Sequence, residues 1–159
     1  MEYIQLKERA GLKRFGIKNP DGTETGEYIE IDLEDFDLPI KANDCQVKHI
    51  EDMTKLRATI QEASKKSDQK AENDVLSEKE RAILEAYREF YAAEEKALDQ
   101  FLGDGATRKL LGGRKPYLTM YDDINDYLEQ IIPALKDTEK NLEKRIKEKY
   151  KVEKEDNVL

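Results

Sequence analysis

Residues 77–102, SEKERAILEAYREFYAAEEKALDQFL, carry the broadest apolar helical face in the sequence. Ser77 and Glu80 fit a capping box, in which the serine hydroxyl accepts from the third helical amide and the glutamate returns to the cap. Large apolar side chains then recur at helical spacing: Ile83, Leu84, Tyr87, Phe90, Tyr91, Leu98, Phe101 and Leu102. We therefore predict a helix that runs to about Leu102 and lies at the centre of the core.

Glycines separate this helix from the next helical pattern. Gly103-Asp104-Gly105 ends it, because glycine tolerates the left-handed conformation of a helix end, and a short turn at 106–111 ends at Gly112-Gly113. Pro116 and Thr119 then favour the start of the last major helix. Its apolar residues step by four and three, as in a heptad seam: Tyr117, Tyr121, Ile124, Leu128, Ile131 and Leu135.

This last helix is expected to weaken toward its end. Pro133 lies inside the seam and should kink the helix or restart it. Beyond Lys140 the residues are mostly charged. We therefore expect 141–159 to form a charged C-terminal tail that frays.

Two alternating segments precede the helices. Leu12–Lys18 and Glu27–Leu33 each alternate apolar with polar residues, and residues 19–22, NPDG, are typical of the turn in a β-hairpin. The apolar residues of the second strand share one face: Ile29, Ile31 and Leu33. Because an isolated hairpin is marginally stable in water, either the following helices or another chain must cover that face.

A further helical pattern lies between the hairpin and residue 77. Asn43 or Asp44 can cap it, and a narrow apolar stripe follows: Val47, Ile50, Met53, Leu56 and Ile60. We expect this helix to bury one face. From 61 to 74 the only apolar residues are two alanines, so the helix either runs on into solvent or gives way to a flexible connection.

The predicted fold is mainly α with a small N-terminal β-hairpin, an α+β class. It is a bundle of three to four helices with short glycine-cornered connections. Residues 1–37 form the hairpin region, packed on the helices or exchanged with those of another copy. Residues 38–140 form the helical domain, and 141–159 form the tail.

Composition excludes several classes of function. The 159 residues include 36 acidic and 28 basic side chains, for a net charge of −8, so a nucleic-acid partner is not expected. One Cys and one His exclude an internal disulfide, CxxC motifs and HExxH motifs. No apolar run approaches the length of a membrane helix. We expect an intracellular protein with no membrane partner, and the length excludes a large two-domain enzyme.

The glycine-rich basic segment from Gly103 to Lys115, GDGATRKLLGGRK, is the strongest candidate for chemistry. Backbone amides and a helix start could hold a phosphate, with Arg108 and Lys115 converging on it. The segment matches neither a P-loop nor a GxGxxG motif, however, and no strand precedes it. A structural helix corner is the favoured interpretation.

Two other groups of residues are weighed in the same way. Cys45 and His49 lie one helical turn apart, where an imidazole could activate a thiolate, but no orienting partner is evident. Two acidic groups could bind a hard cation: Glu30, Asp32, Glu34, Asp35 and Asp37, and Asp122, Asp123 and Asp126. Since no EF-hand loop is present, helix caps and a solvated face are favoured. We expect no catalytic residue, no metal and no cofactor.

The tyrosines form a group of their own. The chain has eight Tyr and no Trp, and four of the tyrosines lie at helical spacing on the two strongest helical patterns: Tyr87, Tyr91, Tyr121 and Tyr127. They suit a core with wet edges, and they suit a contact surface equally well. The sequence leaves both interpretations open.

The segment from about Ala97 to Lys136 resembles the signature of the tail assembly chaperones of long-tailed bacteriophages, of the type found in phages of Gram-positive hosts. FLGDGATRKLLGGRKPYLTMYDDINDYLEQIIPAL carries the resemblance. It implies a non-enzymatic, mostly helical protein that coats the tape measure protein and helps to recruit tail tube subunits. Such a protein acts in the host bacterial cytoplasm and is absent from the mature virion.

On this hypothesis the protein self-associates and binds the tape measure protein. We expect its contact residues to include Tyr87, Tyr91, Leu110, Leu111, Tyr121 and Tyr127. The alternative is a small regulatory or adaptor protein that binds another protein through the hairpin and the heptad helix. A third candidate, an enzyme or phosphate-binding module at Gly103–Lys115, requires Arg108 and Lys115 to converge.

Overall fold

The computed structural model describes residues 1–8 and 11–156. Its elements, in chain order, are β1 (Leu12–Lys18), β2 (Glu24–Asp32), α1 (Leu38–Ala63), α2 (Glu78–Leu102), α3 (Ala106–Leu110) and α4 (Met120–Asp156). The two strands form an antiparallel hairpin, and helices follow it. The predicted fold class, mainly α with a small N-terminal hairpin, is confirmed.

The hairpin is built as its alternation predicts. Phe15 pairs with Ile29, and the amide of Gly22 donates to the carbonyl of Asn19 at 2.9 Å in the predicted turn. β2 begins at Glu24, three residues earlier than predicted, because Lys18 pairs with Glu24 across a register irregularity. The loop is consequently shorter than the sequence pattern suggests.

The apolar face of β2 is covered by this chain's own helices. Ile29, Ile31 and Leu33 are all buried, and they belong to one core cluster. The helical members of that cluster come from all four helices: Leu38, Leu102, Ala106 and Ile131. The helices of the same chain, rather than those of another copy, therefore cover this face of the hairpin.

α1 begins earlier than the sequence predicts. Its first residue is Leu38 rather than one after Asn43 or Asp44, and Pro39 lies in its first turn, where a missing amide hydrogen removes no helical bond. Asp37 occupies the cap position without a side-chain hydrogen bond. The helix ends at Ala63, so the polar stretch that follows is a connection rather than a helical extension.

α2 and α3 begin and end at the predicted capping and glycine residues. The capping box is present, with the Ser77 hydroxyl accepting from the Glu80 amide at 3.1 Å and the Glu80 carboxylate accepting from the Ser77 amide at 2.7 Å. Gly103 and Gly105 take positive φ angles of 110° and 75° at the corner. The Asp99 side chain accepts from the Gly105 and Thr107 amides, and so fixes the start of α3.

α4 is longer than predicted. It runs from Met120 to Asp156 through Pro133. Proline has no amide hydrogen to donate to the Glu129 carbonyl, and because Pro133 is exposed, water can reach that carbonyl instead. Residues 141–156, expected as a frayed tail, continue this helix, and 157–159 lie outside the described residues. The heptad seam is buried at Ile124 and Ile131. The side chain of Leu135 lies outside the described part.

Candidate interaction surfaces

The glycine-rich basic segment does not assemble an anion site. The Arg108 guanidinium donates twice to the Glu95 carboxylate, at 2.5 and 3.1 Å. The Arg114 guanidinium lies 4.4 Å from the centre of the Tyr117 ring, and Lys115 is exposed. Because Arg108 is engaged by Glu95 and does not converge with Lys115, this arrangement fits a helix corner.

Cys45 is not placed as an activated nucleophile. His49 Nδ1 lies 3.1 Å from Glu94 Oε2 on the neighbouring helix. Burial raises the pKa of the half-buried Cys45 thiol, and the nearby Glu94 charge raises it further. Since only the thiolate is a good nucleophile, this environment favours the unreactive form.

A buried polar network joins three helices at this point. Glu94 of α2 is only 1% exposed, and Asp52 of α1 is 7% exposed. The Tyr121 hydroxyl of α4 donates to Glu94 Oε2, and the Lys48 ammonium pairs with Asp52 Oδ1. One oxygen of each carboxyl group, Asp52 Oδ2 and Glu94 Oε1, has no partner among the described residues.

The two unpartnered oxygens point to a protonated carboxyl group. Two ionised carboxylates can only accept hydrogen bonds, so a single proton between them would satisfy both. Burial raises the pKa of Glu94 above its ordinary value of 4.5, and a side-chain hydrogen bond with Asp52 adds to the rise, while bonds from Tyr121 and His49 oppose it. Burial in this network therefore favours the protonated form of Glu94 more than water does.

The acidic groups act locally. Asp35 pairs with Lys41 at 3.0 Å, and Glu30 pairs with Arg14 at 2.7 Å. Across the described residues no three His, Cys, Asp or Glu side chains are arranged to hold a metal ion. No helix in the described ranges is long and apolar enough to span a membrane.

The predicted contact residues are divided between surface and core. The Tyr87 and Tyr91 rings stack with centres 6.4 Å apart, both half-buried, and the Tyr91 hydroxyl donates to the Leu118 carbonyl at 3.1 Å. Tyr121 is committed to the buried network. Leu111 is buried in a core cluster and is not a surface residue in this conformation.

The remaining two contact residues, Leu110 and Tyr127, line one groove. This hairpin groove lies between β1, α3 and α4 and has a volume of about 550 Å³. Its apolar lining is Phe15, Ile17, Ile29, Leu110, Tyr127 and Ile131. Arg14 and Lys18 add positive charge along the same strand. The groove is therefore an apolar slot beside a basic strand.

A second apolar surface was not predicted. On the solvent side of α1, and just before it, four large side chains are 47–73% exposed: Phe36, Ile40, Val47 and Ile50. We call these four residues the outer stripe. Val47 and Ile50 were expected to be buried with Leu56, so that prediction is wrong.

The error has a simple geometric cause. Each residue advances about 100° around an α-helix, so a step of three falls about 60° short of a full turn. Three successive steps of three, from Val47 to Leu56, therefore move the apolar line to the opposite side of α1. The spacing of Phe36, Ile40 and Val47, by four and seven, would have revealed the outer stripe.

Comparison with protein families, with curated proteins and with solved structures finds no match for this chain. The fold and its surfaces define a mainly helical α+β protein that leaves two apolar surfaces, the hairpin groove and the outer stripe, open to solvent.

Proposed function

We propose that this protein is a tail assembly chaperone of a long-tailed bacteriophage, which self-associates and binds the tape measure protein during tail morphogenesis. It acts by non-catalytic contact with other polypeptides. The observation that carries the proposal is the outer stripe, since large exposed apolar side chains that share one face at heptad spacing mark an interaction site.

The outer stripe suits a long helical partner. α1 has 26 residues and is about 39 Å long at 1.5 Å per residue. Phe36, Ile40, Val47 and Ile50 follow one another by four, seven and three residues, which is the spacing of a coiled-coil seam. A partner helix with its own apolar stripe can lie along this face, and each buried side chain contributes about 1.5–3 kcal/mol.

Two further features support the same role. The segment that resembles tail assembly chaperones supplies the α2–α3 corner and the first half of α4, and it includes the groove residues Leu110 and Tyr127. The net charge of −8 keeps a coat of many copies, bound along one apolar protein, from aggregating.

The experiment is co-expression of the full chain with a fragment of the tape measure protein. We expect the two to co-purify and the fragment to become more soluble. The double variant Val47→Gln/Ile50→Gln should lose the fragment, whereas the matched control Val75→Gln/Leu118→Gln, at exposed apolar positions off the stripe, should retain it. If wild-type protein neither co-purifies with the fragment nor changes its solubility, the proposal is wrong.

The adaptor alternative depends on the hairpin and the heptad helix. Ile124 and Ile131 of the heptad seam are buried within the chain, and the apolar face of β2 is covered by helices. The hairpin groove stays open to a partner of either kind, so no observation favours the adaptor over the chaperone proposal.

A further inference from the structure

Residues 1–8, MEYIQLKE, form neither helix nor strand. Their large apolar side chains are between 87% and 105% exposed: Met1, Tyr3, Ile4 and Leu6. Burial of such side chains is favourable by about 1.5–3 kcal/mol each. This segment therefore carries apolar surface that the monomer leaves in water.

β1 offers an open edge to such a segment. The sheet has two strands, so among the described residues β1 is paired on one side only. Its other edge presents unpaired backbone groups, a ready template for an added strand. Arg14 to Lys18 of β1 also line the hairpin groove, so a strand added there would lie over that groove.

The sequence of the segment matches this edge. In an extended strand Glu2, Ile4, Leu6 and Glu8 share one face. An antiparallel register that sets Ile4 opposite Ile17 also sets Leu6 opposite Phe15 and Glu8 opposite Lys13. Two apolar pairs and one pair of opposite charges result, and each such pair stabilises a sheet.

The same register is not open to the segment within its own chain. The Leu33 amide donates to the Gly11 carbonyl at 2.8 Å, so hairpin pairing already reaches back to Gly11. Only residues 9 and 10 then remain to reverse the chain, and Arg-Ala is not a two-residue hairpin turn sequence. Such a turn would also set Leu6 against Lys13 and Glu2 against Ile17.

We propose that residues 1–8 of one copy add as an antiparallel strand to the β1 edge of a second copy, with Ile4 and Leu6 entering its hairpin groove. This inference rests on the self-association in the proposed function and names the surface that produces it. It does not depend on the tape measure partner. Each copy has one N-terminal arm, residues 1–8, and one open β1 edge. The exchange can therefore be reciprocal and form a two-fold dimer.

The first test is the mass of the full chain in solution, measured by light scattering over a range of concentrations. Wild-type protein should form dimers, and Ile4→Asp/Leu6→Asp should be monomeric with an unchanged circular dichroism spectrum. Gln5→Asp, on the opposite face of the strand, should remain dimeric. Monomeric wild-type protein at every concentration, or an Ile4→Asp/Leu6→Asp variant that still dimerises, would overturn the proposal.

The second test fixes the register. Glu8→Lys should weaken the dimer about fivefold for each of its two contacts, as should Lys13→Glu, and the double exchange should restore it. In a Cys45→Ser background, an Ile4→Cys chain mixed with an Ile17→Cys chain should form a disulfide-linked dimer on oxidation. A mixture of Ile4→Cys with Tyr28→Cys should not. Absence of the first cross-link would refute this register.

The outcomes separate the two proposals. If wild-type protein self-associates but the Ile4 and Leu6 substitutions have no effect, the proposed exchange of residues 1–8 is wrong, while self-association is retained. If residues 1–8 control dimerisation but the tape measure fragment does not bind, the proposed function is wrong, while the exchange of residues 1–8 is retained.

Discussion

The Tyr121 hydroxyl donates its hydrogen bond to the Glu94 carboxyl group, and Glu94 is only 1% exposed. This bond joins α4 to α2 at a place from which water is excluded. The His49 ring lies against Tyr121, with ring centres 4.7 Å apart, and its Nδ1 reaches the same Glu94 oxygen. The position of α4 therefore depends on a polar contact as well as on apolar packing.

Replacement of Tyr121 by Phe should destabilise the fold. The change removes one donor from a buried acceptor and leaves the ring, so the free energy of unfolding should fall by about 1–3 kcal/mol. Urea denaturation measures the loss. Tyr127→Phe, which removes a hydroxyl at the half-buried rim of the hairpin groove, should stay within about 0.5 kcal/mol of wild type. Equal effects of the two substitutions would contradict the structural role of the Tyr121 bond.

The stability of the protein should fall as pH rises through the pKa of Glu94. Burial raises that pKa above 4.5, so folding favours the protonated form. The contribution is complete below the unfolded value, near 4.5, and is lost as pH rises through the higher folded value. Glu94→Gln keeps the site uncharged and should not show this loss.

The measurement is urea denaturation of wild type and Glu94→Gln at a series of pH values from 4 to 9. The stability of the variant relative to wild type should grow by about 1.4 kcal/mol for each pH unit between the unfolded and folded pKa values, and then level off. Glu129→Gln, at an exposed site on α4, should leave the pH profile unchanged. A constant difference between Glu94→Gln and wild type would disprove a raised pKa.

Local signals in the sequence were sufficient for part of the fold. The alternation in Leu12–Lys18 predicted β1, and the capping box at Ser77 placed the start of α2 correctly. Each signal depends only on neighbours within a few residues. The start of α1 differs from the one predicted at Asn43 or Asp44 because the helix begins more than one turn earlier, with Pro39 in its first turn, a position that suits proline.

The polar network depended on tertiary contacts that no local pattern contains. Glu94 follows Phe90 by four residues and precedes Leu98 by four, so it lies within the apolar face of α2, and that position was the available signal. Asp52 lies on the buried side of α1. The sequence pattern predicted the wrong buried side, because the apolar residues from Val47 to Leu56 follow one another in steps of three. The two carboxyl groups meet only when α1 packs on α2.

The glycine corner between α2 and α3 should be sensitive to a single methyl group. Gly105 has a φ of 75°, where a side chain costs about 1–2 kcal/mol, so Gly105→Ala should lower the free energy of unfolding by that amount. Gly16 of β1 does not have a positive φ, and no atom lies within 4 Å of the position of an added Cβ. Gly16→Ala should therefore be neutral or stabilising by up to about 1 kcal/mol. Thermal denaturation of both variants compares the sites, and a stable Gly105→Ala protein would contradict the corner geometry.

The two faces of α1 can be separated by one pair of substitutions. Leu56 is buried against Ala86 and Phe90 of α2, so Leu56→Ala should cost about 2–5 kcal/mol of stability through lost burial and the cavity that remains. Ile50→Ala removes the same number of carbon atoms from the outer stripe, yet it should change stability by less than about 0.5 kcal/mol because Ile50 is exposed. Urea denaturation of both variants measures the contrast. If Ile50→Ala destabilises the isolated chain as much as Leu56→Ala does, Ile50 is buried in the monomer and the outer stripe cannot be a free binding face.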